Sequence, residues 1–163
     1  MNRRLVVMRH CKSSWQPDLA SDLARPLNER GRRDAPRVAA ELIARDWAPD
    51  AVYSSDSTRT TETWQLMAPV LGGAVPVSFS RGLYHAGLPQ MRKSAEDWGD
   101  HLQTVLVLGH NPGWSEAVGI LASRPVELTT GNAALLEGQG ATWAEALAGK
   151  WTLTALVRPA DLA

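Results

Sequence analysis

Two unbroken apolar runs limit the folds open to this chain. One is Leu5-Val6-Val7-Met8; the other is Val105-Leu106-Val107-Leu108, preceded by Thr104. Neither alternates with polar residues. Strands of that kind are covered on both faces, as in a parallel sheet between helix layers. Arg9-His10-Cys11-Lys12-Ser13-Ser14-Trp15 follows the first run, and Gly109-His110-Asn111-Pro112-Gly113 follows the second. In open α/β sheets the loops at strand carboxyl ends build the ligand site. Arg9, His10 and His110 are therefore expected at one crevice.

The 163 residues suit a single domain, 1–163, with a sizeable core. Lys+Arg and Asp+Glu are both 17, so bulk charge points to neither nucleic acid nor a membrane surface as partner. Residues 1–60 carry 11 Lys+Arg against 8 Asp+Glu, a mild basic excess on the side of the expected site. The lone cysteine excludes an intramolecular disulfide. Met1-Asn2-Arg3-Arg4 precedes only four apolar residues, too few for a signal peptide. No run nears the ~18 apolar residues of a membrane span. A cytoplasmic location is the expectation.

Between the two runs the pattern predicts a loop over 16–27 and an irregular start near Asn28. A regular helix is expected over 35–46, with Pro36 in its first turn. Arg25, Arg30, Arg32, Arg33 and Arg37 cluster here, either as a solvated helix face or as a docking surface for an acidic protein. A strand over 51–54 ends in Ser54 to Ser57. The next helix carries Thr60, Trp64, Met67 and Leu71 on one face and ends at Gly72-Gly73. Arg59 falls in its first turn, a poor place for a cation by the helix dipole, so an anion partner is expected there. A strand over 75–79, a loop over 83–87 and a helix over 88–98 follow. Asn111 suits an N-cap and Pro112 a first helical residue, which sets His110 at a helix N-terminus. Beyond residue 133 the pattern reads as strands over 133–137, 142–147 and 151–157, joined by tight turns into an antiparallel edge hairpin. The fold class is α/β: three layers, with a mostly parallel sheet.

Two arginines and two histidines thus share one sheet edge: Arg9, Arg59, His10 and His110. Phosphoryl transfer needs mainly positioning and stabilisation of charge on three equatorial oxygens. Arginine forks and a second, protonated imidazole serve that task. A neutral imidazole can attack phosphorus and carry the group as phosphohistidine. Other chemistries fit less well. A cysteine phosphatase needs arginine six residues after its cysteine, and Pro17 stands there. His10, His85, His101 and His110 lack zinc-type spacing, and no Gly-rich nucleotide loop is present, so neither metal nor cofactor is expected.

The chain resembles the histidine phosphatase superfamily, the phosphoglycerate mutase-like fold. The likeness rests on Arg9-His10, on Arg25-Pro26-Leu27-Asn28 with Gly31, on Ser54-Ser55 with Arg59 and Thr63, and on Gly109-His110-Asn111-Pro112. It is most similar to the short SixA-type phosphohistidine phosphatases, which commonly show Arg-His-x-Lys-Ser-Ser-Trp after the first strand. The resemblance implies His10 as the phosphorylated nucleophile. Arg9, Arg59 and His110 would bind the phosphoryl group, with Ser13 or Ser14 adding a hydroxyl and Arg25 at the rim. Cys11 stands where the family usually has glycine. Larger members carry a mid-chain glutamate as proton donor; here that loop reads Leu83-Tyr84-His85-Ala86-Gly87, so His85 is the candidate donor. A phosphoryl-imidazolium leaves as neutral imidazole and needs little such help. The expected substrate is therefore phosphohistidine on a protein. A broad phosphatase for small phosphate esters and a non-catalytic phosphohistidine-binding module are the alternatives.

Overall fold

A computed structural model of the chain describes residues 1–15 and 21–162. Residues 16–20 of the expected loop, with Pro17 and Asp18, lie outside the described residues, as does residue 163. Six strands form one sheet: β1 (Asn2–Arg9), β2 (Ala51–Ser55), β3 (Val77–Ser80), β4 (Thr104–Gly109), β5 (Ala133–Gln139) and β6 (Thr152–Val157). Their spatial order is β3-β2-β4-β1-β5-β6. The β3, β2, β4 and β1 neighbours pair in parallel, while β5 runs antiparallel to both β1 and β6. The helices are α1 (Glu29–Ala44), α2 (Thr58–Met67), α3 (Leu88–Ala95), α4 (Gly113–Ala122) and α5 (Trp143–Ala148).

Strand geometry divides each apolar run between two cores, because successive side chains point to opposite faces. Val6 and Met8, with Leu106 and Leu108, pack under Val38 and Leu42 of α1 and Trp64 and Met67 of α2. Leu5 and Val7, with Val105 and Val107, pack against Met91 of α3, Trp114 and Val118 of α4, and Trp143 of α5. This is the three-layer α/β arrangement expected. Parallel crossovers are right-handed. Moving from β1 to β2 to β3 therefore sets α1 and α2 on one face, and returning from β3 to β4 sets α3 on the other. The connections leaving β1 and β4 diverge to opposite faces, which opens a crevice at the carboxyl ends of these two neighbours. No helix among the described residues is long and apolar enough to cross a membrane.

Several local expectations are corrected. Helix α1 is regular from Glu29, with Asn28 as its cap: the Asn28 side chain accepts from Gly31 N at 2.9 Å. Pro36 therefore lies inside the helix, at a cost of about 3 kcal/mol. The buried stripe of Ala35, Val38, Ala39 and Leu42 holds the helix together around it. Helix α2 ends at Met67, ahead of Pro69, which lacks an N–H to continue the ladder; Gly72 and Gly73 form the positive-φ turn beyond. Residues 142–147, expected as a strand, instead open α5. Thr142 accepts from Glu145 N and the Glu145 carboxylate accepts from Ala141 N. Trp143, Ala146 and Leu147 are buried at helical spacing. The antiparallel edge pair of β5 and β6 is present, but a helix joins it rather than a tight turn.

Helix α1 butts directly against the loop that follows β1. Asn28 N donates to Lys12 O at 3.0 Å, and Ser14 N donates to Pro26 O at 2.8 Å. A Cβ on Gly31 would fall 2.1 Å from Lys12 O. Overpacking of this kind costs about 1–3 kcal/mol. Gly31→Ala should therefore lower unfolding stability by about that amount in urea titration. Wild-type stability in the variant would mean that α1 does not dock on this loop as described.

Candidate active site

The register of β1 on β4 builds the site. Arg9 pairs with Gly109, so His10 and His110 leave adjacent strand ends together, with ring centroids 5.3 Å apart. The His10 backbone is held on both sides: its N–H donates to Gly109 O at 3.0 Å, and its carbonyl accepts from Gly131 N at 2.8 Å. His10 Nδ1 lies 2.7 Å from the Cys11 carbonyl. A carbonyl only accepts, so Nδ1 carries the ring proton and Nε2 keeps the lone pair. Burial drives the His10 pKa down to about 3, the Cys11 bond opposes this, and the charges of Arg59, Arg9 and Arg25 add to the fall. His10 is thus a neutral imidazole at pH 7, with Nε2 as its basic nitrogen.

His110 Nε2 sits 2.8 Å from Ser55 Oγ. Ser55 Oγ also accepts from Ser57 N at 3.3 Å, and Ser57 Oγ lies 3.4 Å from the same ring nitrogen, so His110 Nε2 faces two serine hydroxyls that can each donate or accept. His110 Nδ1 is buried and has no partner among the described residues. Burial, then the neighbouring His10, Arg59 and His85, pushes His110 to about 3 against the pull of Asp22. The second imidazole is therefore neutral here, rather than the protonated one expected, because it is desolvated beside other potentially cationic groups.

Arg9 donates from Nη1 to Leu128 O at 3.1 Å, and its buried Nε has no partner among the described residues. Arg59 lies in the first turn of α2, capped by Ser57, and is buried. Its Nε donates to His10 Nε2 at 3.3 Å; Nη1 and Nη2 reach Asp22 O at 2.7 Å and Asp22 Oδ2 at 3.0 Å. The anion expected beside Arg59 is thus present as an internal carboxylate. Thr63, one turn along α2, ties this helix to the β1 loop: its Oγ1 accepts from Cys11 N at 3.2 Å and donates to Arg59 O at 2.7 Å.

Around these groups lies a cleft of about 430 Å³ that takes in Arg9, His10, Ser13, Arg59, His85 and His110. All the residues singled out from the sequence converge there. A larger cavity of about 540 Å³, between β3 and α3, is lined by neither histidine nor arginine. Ser13 Oγ accepts from Arg25 Nη2 at 2.6 Å, which leaves its proton for a ligand. Arg25 also donates to Ser14 O and Asp22 Oδ1, and its guanidinium lies 3.3 Å over the Trp15 ring. Trp15 is 76% exposed at the cleft, whereas Trp114 is fully buried beneath Gly109 and does not line it. His85 adopts positive φ, 57°, with its ring 3.9 Å from that of Tyr84 and 6.2 Å from that of His110. Burial raises the Cys11 thiol to about 12, which makes it a packing residue.

Of the arginine cluster only Arg25 is buried and Arg37 is half-buried, while Arg30, Arg32 and Arg33 lie on an exposed helix face. Arg30 and Arg37 pair with Asp34 at 3.5 and 3.2 Å, and Arg32 donates to Leu27 O at 2.7 Å. Sequence reasoning missed Asp22 and Tyr84. Asp22 stands three residues before Arg25, a spacing that allows the ion pair seen at 3.0 Å, and Tyr84 adjoins the candidate His85. No group of three or more His, Cys, Asp or Glu among the described residues is arranged to hold a metal ion.

The family model for the histidine phosphatase superfamily (branch 1) matches residues 5–114. An uncharacterised chloroplastic protein of Arabidopsis thaliana is 36% identical over 98% of this chain and 79% of its own length. An uncharacterised Mycobacterium tuberculosis protein is 36% identical over 71% of this chain and 70% of its own. Among solved structures, SixA from Nakamurella multipartitia superposes with TM-score 0.85 at 24% identity, covering 98% of this chain and 97% of that one. SixA from Agrobacterium tumefaciens gives 0.80 at 22%, covering 96% and 98%. The structural likenesses establish a SixA-like, phosphoglycerate mutase-like fold. With the Arg-His and Gly-His strand ends in register and the family model spanning both, the chain belongs to the histidine phosphatase superfamily, branch 1, and that membership supports phosphatase activity.

Proposed function

We propose that this protein is a single-domain, metal-independent phosphatase that works through a phosphohistidine intermediate on His10 and acts on phosphohistidine carried by a protein. The observation that carries the reading is the His10 ring. Nδ1 is tied to the Cys11 carbonyl, so the neutral ring carries its lone pair on Nε2, where Arg59 Nε donates now and phosphorus would bond in the reaction. Arg9 Nε, Arg59, the His110 ring and the Ser13 hydroxyl supply polar contacts for the phosphoryl oxygens. These groups are fixed by strand ends and a helix start, so little reorganisation accompanies charge development. In the first half-reaction the lone pair of Nε2 forms the new N–P bond, and the old P–N pair leaves with the substrate imidazole. Water then attacks phosphorus, and His10 departs as a neutral imidazole, its Nδ1–H still donating to the Cys11 carbonyl. His85, at the cleft wall, is the candidate proton donor when the leaving group is an alkoxide. The exposed Trp15 at the rim suits contact with a protein substrate. Some relatives of this fold are named for small-molecule phosphatase activity, one of them for glucosyl-3-phosphoglycerate, so small phosphate esters are the natural comparison substrates. The lone buried Cys11 suits a reducing compartment such as the cytoplasm.

His10→Ala should cut aryl phosphate turnover by about 10³-fold or more and abolish acid-labile phosphate on the trapped enzyme, with circular dichroism unchanged. Turnover at the wild-type rate in that variant would disprove the mechanism. Phosphohistidine peptide should give a higher kcat/KM than sugar or nucleotide phosphates, and EDTA dialysis should leave the rate unchanged; a rate restored only by added divalent metal would contradict metal independence. Both imidazoles sit near 3 in the folded chain, against 6.5 as the ordinary value. Between those values the unfolded chain binds more protons, so the stability they contribute is full above pH 6.5 and is lost as pH falls toward 3. Urea unfolding from pH 7 to 4 should show this loss, and a His10→Gln/His110→Gln variant should flatten it. An undiminished slope would assign the acid sensitivity to other groups.

A further inference from the structure

Among the described residues Asp22 is the one carboxylate lining the phosphoryl cleft, and neither the family match nor the sequence motifs give it a role. Its Oδ1 accepts from Arg25 Nη1 at 3.0 Å, and its Oδ2 accepts from Arg59 Nη2 at 3.0 Å and from the Tyr84 hydroxyl. The Asp22 backbone carbonyl takes a further Arg59 bond at 2.7 Å. The Arg59 guanidinium therefore runs from the His10 nucleophile at its Nε edge to Asp22 at its Nη edge. A phosphoryl group bound against that guanidinium would meet the His10 nitrogen at one edge and the Asp22 carboxylate at the other. The Asp22 side chain is 39% exposed and so remains reachable by a ligand.

We propose that Asp22 is a specificity-determining residue that selects phosphoramidates, whose leaving group is nitrogen, over phosphate esters. This rests on the phosphatase reading of the same site. The carboxylate can accept a hydrogen bond from the distal ring N–H of a phosphohistidine substrate. That contact favours the protonated ring, the form that departs as neutral imidazole. In the step, His10 Nε2 forms the N–P bond, the substrate P–N bond breaks, its electron pair stays on the leaving nitrogen, and the proton on the distal ring nitrogen leaves with the product. An ester oxygen instead gathers negative charge as it departs, which the carboxylate opposes. Hydrogen bonds from Tyr84, Arg25 and Arg59 outweigh the upward pull of burial and hold the Asp22 carboxyl below the usual carboxylate range, so it is an acceptor at neutral pH and not an acid.

The test compares kcat/KM for a phosphohistidine peptide, for phosphoramidate and for p-nitrophenyl phosphate, using the full chain and its Asp22→Asn variant. Asparagine keeps an acceptor for Arg59 and Tyr84 but removes the charge. The expected result is a tenfold or larger fall in the ratio of either P–N substrate to the aryl ester. A ratio within twofold of wild type, whether both rates fall or both rise, makes Asp22 merely a holder or competitor of Arg59 and overturns the proposal. Failure of the wild-type chain to turn over either P–N substrate while it hydrolyses the ester overturns the phosphohistidine reading and this inference with it. Asp22→Glu, which keeps the charge, should retain more of the P–N preference than Asp22→Asn; equal loss in both counts against a charge effect.

Discussion

The parallel pairing of β1 with β4 is the constraint from which the site follows. These strands are neighbours in space but lie about a hundred residues apart in the chain, and their register aligns Arg9 with Gly109. One residue further on, two imidazoles emerge side by side from a backbone that cannot move without breaking sheet hydrogen bonds. A slip of one residue would send His10 to the opposite face and bring apolar side chains to the wrong core. The packing of Val6, Met8, Leu106 and Leu108 against α1 and α2 therefore fixes the alignment of the histidines as firmly as any contact between the rings.

Burial does the electrostatic work. His10, His110 and Arg59 are nearly enclosed by protein, so their interactions are weakly screened and their charged forms are costly. The imidazoles respond by staying neutral, and the guanidinium responds by recruiting Asp22. The site thus holds a basic nitrogen, several directed N–H donors and one internal anion, all anchored on strand ends or a first helical turn. Arg59 in the first turn of α2 opposes the helix dipole, and the Asp22 carboxylate compensates it there. The same carboxylate gives the cleft a polarity, with Arg9, Arg25 and Arg59 as cationic walls and Asp22 as a negative charge among them.

The loop after β1 is fixed from outside the sheet as well. Lys12 O accepts from Asn28, Gly31 of α1 packs on that carbonyl, Ser14 pairs with Pro26, and Thr63 of α2 holds the Cys11 amide. Cys11 is buried and packs beside Gly131, where an added Cβ would meet its sulfur at 3.4 Å. Trp114, folded under Gly109, performs the equivalent task below His110.

Much of this was legible from residue order alone. Uninterrupted apolar runs announce doubly covered strands, and Arg-His or Gly-His at their ends announces a crevice, because both signals are local and periodic. Thr142 to Leu147 misled because six residues satisfy either period; the Thr142 and Glu145 pair was the cue for a capped helix. Pro36 misled because intrinsic propensity yields to a buried face. What only the tertiary structure decided was charge and partnership: that Arg59 is shared between His10 and Asp22, that Tyr84 completes that carboxylate, and that both imidazoles are desolvated into their neutral forms. Those properties depend on distances between segments brought together by packing, and no spacing along a single chain encodes them.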